Sequence, residues 1–294
     1  MTSSMNKLSM KQTLGDTLLK LAKTNKNLYV VSMDLKTSLC LGKFAQKYPT
    51  RFIECGIAEN NAAGVAAGLA KTGKTVFLCS FACFSPAINW ATIKQSICYN
   101  NANVKIVGTH AGLLSGNLGA THQMLEDIAI MRSLPNMEVF APLDALETEK
   151  IITTVSRSKV PSYIRLVRPE TPIFFDDKCS FTIGKSNIIQ SGDKITILGY
   201  GPVLLDALKL KSAEIINCSS IKPLDEKTII KSIKKTNNVI VIEDHQKNGG
   251  LGEAIASLIL TNDINCKFKH IAVDNQFGRS GAPDELYKLY KLYV

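Results

Sequence analysis

The sequence predicts an α/β chain of two doubly wound units, a mainly parallel sheet first and a smaller α/β unit after it. Three observations predict this. Short apolar runs alternate with amphipathic stretches from end to end, each run opens into a polar or glycine-containing loop, and a proline-containing break separates two starts of the pattern. A length of 294 residues suits two ordinary domains.

"LYVVSM" (Leu28 to Met33) reads as a buried strand that ends at Asp34. "IAENNAAGVAAGLAKTG" reads as a helix with small residues along one face, closed by Gly73. "TVFLCSF", "VKIVGTH" and "MEVFAP" read as further strands, each with a loop at its C-terminal end. "YIRLVRPETPIF" starts as a strand and is broken by Pro169 and Pro172, which places a domain boundary near Asp177. The expected domains are residues 1–176 and 177–294.

The second unit repeats the alternation. It runs as strand "KITILGYG", a helix from Val203, strand "AEIINC", a helix from Asp225, strand "NVIVIED", a glycine loop, a helix from Glu253 and strand "KFKHIAV". Ligands of open α/β sheets lie beyond the carboxyl ends of the strands. That rule singles out residues 34–38, 54–60, 80–84, 110–122 and 165–168.

Composition narrows the function. The formal charge of +10 is carried mostly by single lysines along the expected helices, with short groups only at Lys231 to Lys235 and Lys288 to Lys291 and no basic stripe interleaved with aromatics. This describes a solvated surface rather than a nucleic-acid interface, and is compatible with an anionic substrate. No apolar run reaches the roughly 18 residues of a membrane span. "MTSSMNKLSMKQ" lacks the apolar stretch of a secretory leader, so a cytoplasmic location is expected. The eight cysteines have no paired spacing with histidine, which argues for reduced thiols and against a zinc site.

Several residues could carry chemistry, and each has a plain structural alternative. Glu59 opens the small-residue helix, where an acid complements the helix dipole, or where a carboxyl could share a proton with a bound heterocycle. Phe81 and Phe84 are core aromatics or a platform for a flat ring. His110 and His122 enter one loop, near Arg165 and Arg168, where imidazoles could bond hydroxyls and a guanidinium could take a phosphate. Gly199 to Gly201 and Gly249, Gly250 and Gly252 fall short of a dinucleotide fingerprint.

The order of motifs makes a family resemblance. "RFIECGIAENNAAGVAAGLAKTG", "FLCSFACFS", "VKIVGTHAGLLSGNLGATHQMLEDIAIMRSLPNMEVFAPLDALET" and "YIRLVRPETP" resemble the pyrimidine-binding domain of transketolase. "SSIKPLDEKTI", "VIVIEDHQKNGGLGEAIA" and "FGRSGAPDELYKLYKL" resemble its C-terminal domain. The resemblance spans essentially the whole chain and implies the C-terminal subunit of a split, thiamine diphosphate-dependent transketolase.

Residue by residue, the resemblance implies that Glu59 bonds the aminopyrimidine and that Phe81 and Phe84 pack on it. Asp34 falls near the cofactor. His110 and His122 match histidines that contact substrate oxygens, and Arg168 matches the arginine that binds the sugar phosphate. Lys11 and Ser38 fall at two further phosphate-side positions. Of these residues Glu59, His110 and His122 are the expected catalytic ones. The family's metal motif, G-D-G, does not occur in this sequence. The resemblance therefore implies no metal ligand here, with Mg2+ and the diphosphate held by an N-terminal partner subunit, and a heterotetramer with two chains of each kind.

Two departures bear on the substrate. Where the family commonly has an acid pair, this chain has Asn117 and Leu118. The aspartate matched by Leu118 reads a hydroxyl beside the acceptor carbonyl, so a modified or branched sugar is expected. The stretch "SPAINWATIK" also lacks the usual charged residues around Trp90. An alternative enzyme reading is a 2-oxoacid dehydrogenase E1 β-type subunit delivering an acyl group. A non-catalytic scaffold subunit is the alternative of another class.

Overall fold

A computed structural model describes residues 6–294, so the leader reading of the first five residues lies outside the described residues. β1 (Lys7–Ser9) runs into α1 (Met10–Thr24), where the Ser9 side chain caps the helix by accepting the Gln12 N–H. The chain continues through β2 (Leu28–Ser32), α2 (Gly42–Lys47), β3 (Phe52–Glu54), α3 (Glu59–Lys71) and β4 (Thr75–Phe81). Then come α4 (Trp90–Thr92), continued by a π-helical turn over Ile93–Cys98, and β5 (Val104–Thr109). The first sheet is finished by α5 (Asp127–Arg132), β6 (Glu138–Phe140), α6 (Ala145–Val155) and β7 (Ser162–Arg165).

These strands are parallel, in the order β6-β7-β5-β4-β2-β3. Their side chains alternate between two cores, as the period of a strand dictates. Val31, Leu78 and Ile106 face one core with the α3 alanines Ala62, Ala63, Ala66 and Ala67. Val30, Phe77 and Val107 face the other with Leu14 and Leu18 of α1 and Ile151 and Ile152 of α6. The chain leaves β2 toward β3 on one side and then builds β4 and β5 on the other. That reversal between β2 and β4 opens a crevice at their carboxyl ends.

Pro169 and Pro172 do not simply end the strand. β8 (Glu170–Pro172) forms an antiparallel ribbon with β1, Lys7 opposite Pro172. A two-stranded ribbon accepts proline because its outer edge needs no N–H.

The second sheet holds β9 (Asn187–Gln190), β10 (Ile195–Gly199) and β11 (Ala213–Asn217). β12 (Ser220–Lys222), α7 (Glu226–Thr236), β13 (Asn238–Gln246), α8 (Leu251–Thr261), β14 (Lys267–Val273) and α9 (Pro283–Leu289) follow. Its order is β14-β13-β10-β11-β9, with only β9 antiparallel. The helix expected from Val203 is a 3₁₀ segment, Pro202–Lys209, with proline in its first turn and no side-chain cap. β12 does not join this sheet. It crosses back and pairs antiparallel with β6, covering an edge of the first sheet that would otherwise be open. Apolar residues of both sheets, among them Leu78, Leu198, Ile216 and Val241, belong to one buried cluster.

Candidate active site

Glu59 is the first residue of α3 and stands half-buried at the carboxyl edge of the first sheet. Its carbonyl accepts the Asn89 side-chain amide at 3.0 Å, while its carboxylate has no hydrogen-bond partner among the described residues. Asn89 is fully buried and its Oδ1 is unpartnered. Burial, with the Glu59 charge as a smaller cause, pushes the Cys83 thiol up to about 11, which keeps it protonated and unreactive.

Beyond β4 the chain turns so that the rings of Phe81 and Phe84 stack at 5.8 Å, 18° apart. Phe81 also lies against His110, with centroids 3.8 Å apart, and Phe84 meets His122 edge-on at 5.6 Å. The two phenylalanines and two histidines thus form one aromatic cluster. His110 directly follows β5 with φ of 58°, a left-handed conformation that few residues adopt without support. Support comes from the Ser115 hydroxyl, which donates to the His110 carbonyl.

Each histidine follows a threonine, and each pair repeats one contact. Thr109 Oγ1 lies 2.9 Å from His110 Nδ1, and Thr121 Oγ1 lies 2.9 Å from His122 Nδ1. Thr109 also donates its proton to the Ser80 carbonyl at 3.3 Å. A hydroxyl has one proton, so His110 Nδ1 is the donor in its pair and Nε2 is left as an acceptor. Burial, then the positive charges of Lys11, Arg168 and His122, lower the His110 pKa to about 3. His110 is a neutral imidazole at working pH, suited to accept from a hydroxyl.

Arg168 follows β7 and is half-buried. Its Nη1 donates to the Ser115 carbonyl at 3.0 Å and to Asn117 Oδ1 at 2.6 Å. That leaves Nε and Nη2 without protein partners among the described residues, a fork open to an oxyanion. Lys11, near the start of α1, contributes a second cation on the same side through its effect on His110. Leu118 is half-buried between Asn117 and Gly119 in the loop carrying His122. Ser38 and Asp34 are exposed at the same sheet edge. Asp34 has φ of 58°, its N–H donates to Glu54 Oε1 at 2.7 Å, and no contact joins either residue to the histidines.

Arg165 is not brought into this cluster. It lies 3% exposed against the fully buried Asp127, with Nε 2.9 Å from Asp127 Oδ2 and Nη2 2.7 Å from the Asp244 carbonyl. Asp244 in turn accepts the Leu113 N–H at 2.9 Å, which ties the second unit to the start of the histidine loop. The glycine run 249–252 is also closed to ligands. The Leu251 and Gly252 N–H groups at the start of α8 both donate to the buried Glu243 carboxylate at 2.8 Å. A phosphate would occupy that place in a dinucleotide fold. Burial opposes the charge, but His270, His245 and the Gly252 N–H hold Glu243 below its ordinary range.

Sequence reasoning missed Asn117 as the partner of Arg168, and Asn89 beneath Glu59. Around Trp90, the indole N–H donates to the Ile130 carbonyl at 2.9 Å and Thr92 donates to Asn60 at 2.7 Å, while Ile88 is 56% exposed. Among the described residues no three His, Cys, Asp or Glu side chains gather as a metal site. Among them, too, no helix is long and apolar enough to cross a membrane. The cysteines are free thiols.

The aromatic pair and the unbonded carboxylate beside it fit an aminopyrimidine ring. Comparison with known proteins gives the same direction. Residues 6–173 match the family described as "Transketolase, pyrimidine binding domain", and residues 184–294 match "Transketolase, C-terminal domain". The chain is 44% identical to a putative transketolase C-terminal section of Methanocaldococcus jannaschii, over 96% of this chain and 92% of that one. It is 36% identical to one subunit of the apulose-4-phosphate transketolase of Phocaeicola vulgatus, over 92% and 89%. A solved split-gene transketolase in an inactive β4 tetramer superimposes with a TM-score of 0.90 at 35% identity, over 97% of this chain and 94% of that one. The chain belongs to the transketolase family.

Proposed function

We propose that this transketolase-family chain is the C-terminal subunit of a split, thiamine diphosphate-dependent enzyme that moves a two-carbon ketol unit between sugar phosphates. The observation that carries the reading is one cluster, in which Phe81, Phe84, His110 and His122 pack together. Beside it stands Glu59, its carboxylate without a protein partner among the described residues. When bound, thiamine diphosphate supplies a carbon nucleophile that makes and breaks bonds next to a carbonyl.

This chain's part is to seat the pyrimidine and handle the sugar. Phe81 and Phe84 give the ring an apolar face and keep water from it. The Glu59 carboxylate shares a proton with a ring nitrogen, and the N-terminal dipole of α3, whose first residue it is, steadies the anionic form. Neutral His110 accepts from a substrate hydroxyl through Nε2, and His122 stands beside it. Arg168 and Lys11 receive the phosphate, with Ser38 at the rim and Asp34 near the cofactor.

Mg2+ and the diphosphate belong to an N-terminal partner subunit, with two chains of each kind in the assembly. The inactive state named for the similar β4 tetramer supports a need for that partner. The replacement of an acid by Leu118, and the similarity to an enzyme named for apulose 4-phosphate, support a modified sugar as one substrate.

Reconstitution with the N-terminal subunit tests the reading. Glu59→Gln should lower turnover of a ketose phosphate donor by about 10²–10⁴-fold while leaving the unfolding midpoint in place. Undiminished turnover, or a wild-type complex that uses pyruvate and refuses ketoses, would overturn it.

A further inference from the structure

The loop that carries Asn117, Leu118 and His122 is held from two sides, and one side belongs to the second unit. From the first unit, Arg168 binds the Ser115 carbonyl and Asn117 Oδ1. From the second, the Ser280 hydroxyl donates to the Asn117 carbonyl at 2.8 Å. Gln123, 5% exposed, bridges the two with Nε2, which donates to the Gly116 carbonyl at 3.0 Å and the Arg279 carbonyl at 2.9 Å. The segment reaching across is itself tied down, because the Tyr290 hydroxyl donates to the Phe277 carbonyl at 2.7 Å.

Glycine lets the chain approach closely at two of these contacts. Gly116 has φ of 64° and packs under Gly281 and Pro283. A Cβ on Gly278 would collide with Gln123 Oε1. The backbone of the loop is therefore fitted to the segment, and the loop in turn sets where Asn117 Oδ1 sits. Asn117 occupies Nη1 of Arg168 and so directs the free edge of the guanidinium.

We infer that segment 278–281 of the second unit is a clamp that aims the phosphate-binding arginine, making Ser280, Gln123 and Gly278 positioning residues for the anionic end of the substrate. This rests on the reading that Arg168 receives a phosphate. None of the three needs to touch substrate. Ser280 acts through the Asn117 backbone, and Gln123 acts through Gly116. The clamp gives the second unit, which supplies no member of the aromatic cluster, a part in recognition.

The test compares a phosphorylated aldose acceptor with unphosphorylated glycolaldehyde, using the complex with the N-terminal subunit. Ser280→Ala should raise KM for the phosphorylated acceptor about 3–10-fold, the worth of one hydrogen bond, with kcat within about twofold and glycolaldehyde unaffected. Ser280→Thr should restore it. Gly278→Ala, which displaces Gln123, should act in the same direction. In the isolated chain both alanine variants should speed hydrogen exchange at Gly119, His122 and Gln123, whose N–H groups close the loop's turns. Arg168→Ala is the reference. If it alone raises KM selectively for the phosphorylated acceptor and the clamp variants do not, the clamp is wrong and the reading of Arg168 stands. If Arg168→Ala affects both acceptors equally, the phosphate role itself fails. Clamp variants that lower kcat alone, or impair both acceptors equally, also overturn the inference.

Discussion

Arg165 and Arg168 leave the same strand three residues apart, and their surroundings could hardly differ more. Arg165 is buried and its N–H groups meet Asp127 and the Asp244 carbonyl. Burial disfavours its charge, but Asp127, Tyr200 and Asp244 outweigh that and raise its pKa. Arg168 is half-open, lacks a carboxylate partner among the described residues, and spends one nitrogen on Ser115 and Asn117. A saturated cation holds structure together; a cation with an unfilled edge is available to a ligand. The same contrast separates Glu243, ringed by donors, from Glu59, whose carboxylate has none among the described residues.

The largest expected effect comes from breaking the saturated side. Arg165→Met leaves Asp127 buried beside Tyr163 without its cation, and should cost about 3–5 kcal/mol of unfolding free energy. Arg168→Met should cost no more than about 1 kcal/mol by the same denaturant titration, because its contacts are partly solvated. Equal losses for the two would erase the comparison.

The open side was legible in the sequence because its residues sit where strands end. Phe81, His110 and Arg168 lie at or just after the ends of β4, β5 and β7, and Glu59 begins the helix after β3. Strand and helix positions followed from short apolar runs with clear breaks. The saturated side was not legible. Arg165 meets Asp127 and Asp244, which are 38 and 79 residues away in the chain, and no local pattern pairs them. Asn117 and Ser280 are separated by 163 residues. The return of β12 to the first sheet is hidden for the same reason, since a three-residue strand shows its partner only in space.

Another buried acid extends the contrast to one that is hydrogen-bonded yet has no cation beside it among the described residues. Glu147 completes the N-terminal cap of α6. Its N–H donates to Asp144 at 2.8 Å, and its carboxyl accepts the Leu143 N–H at 2.6 Å and the Asn217 amide of the second unit at 2.9 Å. Burial nevertheless pushes it up to about 7. The folded state therefore holds this proton where the unfolded chain has lost it. The stabilising contribution is full below the ordinary carboxylate range, near 4.5, and disappears as pH rises through about 7. Glu147→Gln keeps the shape without the charge. Its stability relative to wild type should gain on the order of 2–3 kcal/mol between pH 5 and pH 8. Parallel stability curves across that range would show that Glu147 does not carry the buried proton.

The smallest effect probes the open side at Leu118, which on the proposed function takes the place of an acid. Leu118 is half-buried in the loop that carries His122, next in sequence to Asn117, whose side chain accepts from Arg168. A leucine there offers a substrate hydroxyl no acceptor, and a hydroxyl left unmet on binding costs about 1–3 kcal/mol. A substrate that presents carbon or a different branch at that point loses nothing. Leu118→Asp supplies an acceptor and should improve kcat/KM on ordinary aldose phosphates by about tenfold, against the native substrate, for which a buried carboxylate is a penalty. The added charge also lies next in sequence to Asn117, so some weakening of the Arg168 fork accompanies the gain. A parallel assay with glycolaldehyde, which carries no phosphate, separates the two contributions. Unchanged or reduced use of ordinary aldose phosphates, with glycolaldehyde also unimproved, would mean that Leu118 does not set the substrate.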